Sequence, residues 1–87
     1  MPIKVTLTGR LADILDKELS LSSPSTVGGA IREVAGMNEE AKAFLLDDEG
    51  KVRDNIIVLV NEEAVDDLEQ PLREGDEIFL LLPVAGG

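Results

Sequence analysis

The chain has no cysteine and no histidine. Disulfide staples, thiolate and imidazole metal sites, cysteine nucleophiles and a histidine general base are therefore excluded. Tryptophan and tyrosine are also missing, and Phe44 and Phe79 are the only aromatic residues. Any core must be built mainly from Leu, Ile and Val. Basic residues are scarce: 8 Lys and Arg stand against 18 Asp and Glu, a formal net charge of -10 on 87 residues. Such a surface is repelled by phosphate backbones and anionic membranes, so nucleic acid and membrane are not expected partners; it would suit a partner with a basic face, the alternative being that the charge serves only solubility. No apolar run is long enough to cross a bilayer. Met1-Pro2-Ile3-Lys4 opens into an amphipathic strand instead of the apolar core of a secretory signal, so a cytoplasmic location is expected.

What is present suffices for one small domain. Hydrophobic residues make up 44% of the chain, enough for a core and too many for a disordered segment. Ile3, Val5 and Leu7 alternate with Lys4, Thr6 and Thr8, the period-two signature of a half-buried strand. Gly9 breaks it. Leu11, Ile14 and Leu15 then recur at helical spacing. Glu18-Leu19-Ser20-Leu21-Ser22 alternates again, with Leu19 and Leu21 facing inward. It is expected to return beside the first strand. Ser23-Pro24-Ser25-Thr26 reads as a turn and helix start, in which Ser25 or Thr26 can accept a first-turn amide. Val27, Ala30, Ile31 and Val34 mark the buried face of the main helix. Gly36 sits where a left-handed cap would end it. Gly28 and Gly29 in the first turn either let the helix lie close to the sheet or are tolerated near a helix end.

Asn38 is a cap for a second, shorter helix, with Glu39 and Glu40 favourably placed at its positive end. Ala41, Phe44 and Leu45 are its buried side. Asp47-Asp48-Glu49-Gly50 is a turn, and it lacks the ligand spacing and closing glutamate of a calcium loop. Ile56-Ile57-Val58-Leu59-Val60 is the strongest strand. Asn61-Glu62-Glu63 turns the chain into a brief extended piece at Ala64-Val65. Arg73-Glu74-Gly75-Asp76 is a tight turn, and Glu77 to Leu82 is the last strand. The order places the chain in the α+β class, with a main helix packed on one face of a sheet, and is compatible with a β-grasp.

The search for intrinsic catalysis finds little. Ser20, Ser22, Ser23 and Ser25 have no histidine to activate them. The pairs Asp47/Asp48, Glu62/Glu63 and Asp66/Asp67 fall in turns, where water is expected to keep their acidity ordinary. Gly28-Gly29 lacks the spacing and the lysine of a phosphate loop. The remaining chemical feature is the tail. Pro83 ends the last strand's hydrogen-bond ladder. Val84 and Ala85 are small and apolar. Gly86 and Gly87 carry no Cβ, so a partner's channel can close round their backbone. The only functional group at the tip is the Gly87 carboxylate, which is inert until activated. The body is expected over residues 1–82 and a flexible tail over 83–87.

Strand parity adds a surface. If Ile78, Leu80 and Leu82 face the helix, Phe79 and Leu81 face away. On the central strand, Ile57 and Leu59 are likewise opposite Val58 and Val60. A contiguous apolar patch there would mark a docking face for a partner. The alternative is that a second layer or a dimer covers it.

These residues resemble the ubiquitin-like β-grasp sulfur carriers, and within them the small subunit of molybdopterin synthase. The resemblance spans nearly the whole chain. It is carried by Gly9-Arg10-Leu11-Ala12-Asp13-Ile14-Leu15, Thr26-Val27-Gly28 and Val58-Leu59-Val60-Asn61. The most specific pieces are Pro71-Leu72-Arg73-Glu74-Gly75-Asp76-Glu77-Ile78 and Leu82-Pro83-Val84-Ala85-Gly86-Gly87. Three positions depart from the family pattern: Leu82 replaces a proline, Ala12 a basic residue, and Gly29 a helix-favouring one. The resemblance implies a mixed sheet of four to five strands with short helices beside the main one. It implies that an E1-like enzyme uses ATP to adenylate Gly87, which then becomes a thiocarboxylate. The tail from Pro83 to Gly86 would insert into the large synthase subunit of a heterotetramer. Sulfur would pass to the dithiolene of molybdopterin, and the carrier would bind no cofactor or metal and have no active site of its own. Relatives with such a tail serve thiamine synthesis or tRNA thiolation, or are joined to lysines of target proteins. A non-catalytic interaction domain is the alternative from another class.

Overall fold

The computed structural model describes residues 3–22 and 25–81. Five strands and three helices follow in the order β1 (Ile3–Leu7), α1 (Gly9–Ile14), β2 (Glu18–Leu21), α2 (Val27–Ala35), α3 (Glu39–Leu45), β3 (Ile57–Val60), β4 (Glu63–Ala64) and β5 (Glu77–Leu81). The strands form one sheet in the order β2-β1-β5-β3-β4. β1 and β5 lie side by side and parallel, and the other pairings are antiparallel. The first and last strands thus form the centre of the sheet, an adjacency that the local pattern does not dictate.

Alternation decides which face is covered. Ile3, Val5 and Leu7 of β1, Val58 and Val60 of β3, and Ile78 and Leu80 of β5 are buried. They share one core with Val27, Ala30, Ile31 and Val34 of α2 and with Ala41 and Leu45 of α3. No polar or charged side chain is buried among the described residues. The fold is an α+β sheet with its helices on one face, as the sequence pattern predicts.

The ends of α2 show two local outcomes. Thr26, and not Ser25, is the cap: its Oγ1 accepts the Gly29 N–H at 3.0 Å. Gly36 does not adopt the predicted left-handed cap. Its φ is -72°, and its N–H bonds Arg32 O, so the chain continues in a right-handed turn. Gly28 answers the question its position raises. Its N–H bonds Leu68 O at 2.7 Å, and a Cβ there would stand 3.1 Å from that oxygen. The glycine allows close approach, but to the loop before Pro71 and not to the sheet. The same loop takes the Val27 N–H on Gln70 O at 3.0 Å. The first amides of α2 are therefore already used within the protein.

Asn38 caps α3 as expected, with Oδ1 accepting from Glu40 N at 2.7 Å and Ala41 N at 3.3 Å. Phe44 is only half-buried, packed at the margin of the core. Gly75, at φ +85°, makes the tight turn before β5, closed by Asp76 N–H to Arg73 O at 3.1 Å.

Candidate functional site

The face of the sheet away from the helices has no covering layer among the described residues. Paired residues on neighbouring strands share a face, so the register assembles it. One row runs Glu18–Thr6–Phe79–Leu59–Ala64 across all five strands. The next pairs Leu81 with Ile57. Ile57 is 48% exposed, and Leu59, Phe79 and Leu81 are half-buried, with Leu59 between buried Val58 and Val60 and Phe79 between buried Ile78 and Leu80. The four residues singled out by parity therefore lie together, with Leu59 against Phe79 and Ile57 against Leu81. Ala64 extends the patch onto β4. Sequence parity missed it because only pairing register reveals which residue of a two-residue strand shares the face.

The other end of this face is charged. Lys4 and Glu18 form an ion pair at 3.1 Å. The Lys4 pKa is raised, first by its hydrogen bond and charge attraction to Glu18 and then by the nearby Glu77. Glu77 follows the same parity as Phe79 and Leu81 and is exposed.

The entry to β5 is fixed by side chains. Asp76 Oδ2 accepts the Arg73 N–H at 2.8 Å, and Asn61 Oδ1 accepts the Glu77 N–H at 3.0 Å. The first of these bonds is the main reason that the Asp76 carboxyl is held below the ordinary range, with the Asn61 amide and the Arg73 charge adding to it. Asp47 is lowered too, chiefly by the Lys51 N–H bond and further by the Glu49 N–H. The sequence-based expectation of ordinary acidity fails at Asp47 because the carboxylate folds back on its own turn at 2.9 Å from both amides. A depressed carboxyl is a weaker base, so neither residue is poised for proton transfer. Among the described residues, no group of His, Cys, Asp or Glu is placed to hold a metal ion. No described helix is long and apolar enough to cross a membrane.

Pro83, Val84, Ala85, Gly86 and Gly87, together with Leu82, lie outside the described residues, so the structure neither assembles nor separates these tail positions.

Comparison with known proteins places this arrangement. Small archaeal modifier protein 1 from Haloferax volcanii is 33% identical over 69 residues, covering 79% of this chain and 78% of that protein. Its crystal structure superposes with a TM-score of 0.86 at 29% identity, covering 100% of both chains. Ubiquitin-related modifier 1 from Encephalitozoon cuniculi is 29% identical over 86 residues, covering 95% of this chain and 90% of that one. A chain in the complex of subunits 1 and 2 of molybdopterin-converting factor from Helicobacter pylori is 25% identical, with a TM-score of 0.65 and 100% coverage of both. The ThiS family profile matches residues 5–87. A β-grasp sheet with one open face, leading in sequence to Gly86-Gly87, thus has a family to which it answers: the chain belongs to the ThiS family of small ubiquitin-like carrier proteins.

Proposed function

We propose that this chain is a sulfur carrier that works through its own carboxyl terminus, as the small subunit of a molybdopterin synthase. An E1-like enzyme joins the Gly87 carboxylate to the AMP of ATP and releases pyrophosphate. A sulfur donor then displaces AMP and leaves a thiocarboxylate. Pro83, Val84, Ala85 and Gly86 enter the large subunit of the heterotetramer, and the sulfur is used to build the molybdopterin dithiolene. The body supplies no reacting group and binds no cofactor; the ATP belongs to the activating enzyme.

One observation carries this reading. β5 displays Phe79 and Leu81 on the open face, and the same strand runs on in sequence towards Gly86-Gly87. Docking of Ile57, Leu59, Phe79 and Leu81 on a partner therefore sets the start of the tail. The six residues after Leu81 reach at most about 20 Å when extended. A tail without bulky or charged side chains can thread a narrow channel, and its terminal carboxylate is the group that needs outside activation. The assembled state of the Helicobacter pylori relative supports a synthase partner.

A second reading is favoured by the names of the two modifier relatives. The same acyl-adenylate carbon would be attacked by a lysine amine of a target protein. An amide bond forms, the bond to AMP breaks, and the ammonium proton goes to solvent. Carriers for tRNA thiolation or thiamine synthesis would share the first step and differ in the acceptor.

Intact mass spectrometry separates these readings. After incubation with the adenylating enzyme, ATP and a sulfur donor, the carrier reading requires exchange of one oxygen for sulfur at Gly87. Lysine adducts bearing a Gly-Gly remnant in cells would support the modifier. Absence of both products would leave a plain interaction domain.

A further inference from the structure

The open face of the sheet has two unlike ends, and β5 joins them. Leu81 stands at the end that leads to the tail, and Glu77 at the other. Four residues at strand spacing put them about 13 Å apart. Glu18 and Lys4 flank Glu77 across β1 and β2 and are paired with each other at 3.1 Å. Among the described residues Glu77 has no ion pair, and its field reaches Lys4 without a bond. The charged end thus carries two carboxylates and one ammonium, a net single negative charge.

We infer that the adenylating enzyme, docking on this face, places a cationic side chain against Glu77, and that this contact sets the direction in which the tail is presented. The inference rests on the reading that the face docks. Attraction between four apolar side chains is not directional and would allow the carrier to sit in several rotations. The tail can serve only one of them, because it leaves from one end of β5. A charge at the far end of the same strand selects that rotation, which is how charged groups fix register at interfaces. A second copy of this chain does not meet the requirement. It would bring a surface of net charge -10 against an identical one, and like charges placed together are repelled.

The test is the KM for the carrier in pyrophosphate exchange by the adenylating enzyme of the source organism. Glu77→Gln is expected to raise it about two- to fivefold, the size of one exposed charge pair. Glu77→Lys raises it further. Glu18→Gln acts in the same direction, because it frees Lys4 to neutralise Glu77. Lys4→Gln lowers KM, because the end of the face becomes more negative. Glu33→Gln, on the exposed side of α2, changes the net charge equally and leaves KM where it was. All variants are checked for folding by circular dichroism. The inference is overturned if Glu77→Gln and Lys4→Gln leave KM unmoved, or if Glu33→Gln moves it as much. If the wild-type chain is never adenylated, the proposed function falls and this inference with it. Adenylation with an unmoved KM removes the inference alone.

Discussion

Asn61 holds Asp76 across fifteen residues of sequence: its Nδ2 donates to Asp76 Oδ1 at 3.0 Å. The turn between β3 and β4 is thereby tied to the turn that enters β5. Asn61 and Glu62 both have positive φ, 51° and 73°, between the paired Val60 and Glu63. That is the geometry of a two-residue hairpin turn whose twist suits the flanking strands. Asparagine tolerates the left-handed conformation, and here its side chain also bonds two partners. Asn61→Ala removes both bonds, and with them the local hydrogen bonding that lets asparagine tolerate a positive φ. The expected loss is roughly 1–3 kcal/mol in urea unfolding. Asn61→Gly restores the backbone freedom and should lose less than Asn61→Ala.

The depressed Asp76 carboxyl makes stability depend on pH. Its pKa is lower folded than unfolded, so its contribution is fully present above the unfolded value of about 3.9 and is lost as pH falls through the folded value. Self-repulsion among the other carboxylates changes in the opposite sense over the same range, so wild type alone does not isolate the effect. The difference in urea midpoint between wild type and Asp76→Asn should be constant from pH 7 to about 5 and shrink as pH falls below about 4. A difference that stays constant down to about pH 2.5 would contradict the assignment.

Two adjacent glycines in α2 should respond differently to alanine. Alanine inside a helix normally gains up to about 1 kcal/mol over glycine. At position 28 the new Cβ meets a backbone oxygen, Leu68 O, at 3.1 Å, on a loop already held by the Gly28 N–H. At position 29 it meets only the Thr26 hydroxyl, at 3.2 Å. Gly28→Ala is expected to lower the thermal midpoint by roughly 4–8 °C, the effect of about 1 kcal/mol in a domain of this size. Gly29→Ala should lie within a few degrees of wild type, its helical gain offset by disturbance of the cap.

Much of this architecture was legible in the sequence. Parity sorted Ile78 and Leu80 from Phe79 and Leu81 correctly, because a covered sheet face enforces strict period two. Asn38 and Gly75 were legible because capping and positive φ are local demands. What was not legible depends on distant partners. The parallel pairing of β1 with β5 is set by the whole fold, and neither strand encodes its neighbour. Gly28 could be read as a close approach to the sheet or as a tolerated helix-end glycine, and its actual neighbour, Leu68, is a loop residue that helix spacing does not reveal. Gly36 looked like a left-handed cap, but the chain needed another right-handed turn before Asn38. At the candidate site, Ile57, Leu59, Phe79 and Leu81 followed from alternation, while Ala64 and the Lys4–Glu18–Glu77 end required the register.

The open face should be separable from the core by mutation. Leu80, 1% exposed, belongs to the core, and Leu80→Ala is expected to cost about 2–5 kcal/mol. Ile57→Ser and Leu59→Ser on the other face should cost no more than about 1 kcal/mol. Their effect should fall on partner use: the carrier KM with the adenylating enzyme rises while the circular dichroism spectrum and unfolding midpoint stay near wild type. Unaltered KM in both variants would contradict a docking role for this face.

The most direct measurement is ATP-dependent acyl-adenylate formation by the cognate E1-like enzyme, compared between the full chain and a chain ending at Gly86. The expected result is stoichiometric AMP attachment to the full chain and none to the shortened one, with both folded to the same stability. Equal adenylation of the two chains would show that Gly87 is not the reacting terminus and would contradict the carrier assignment.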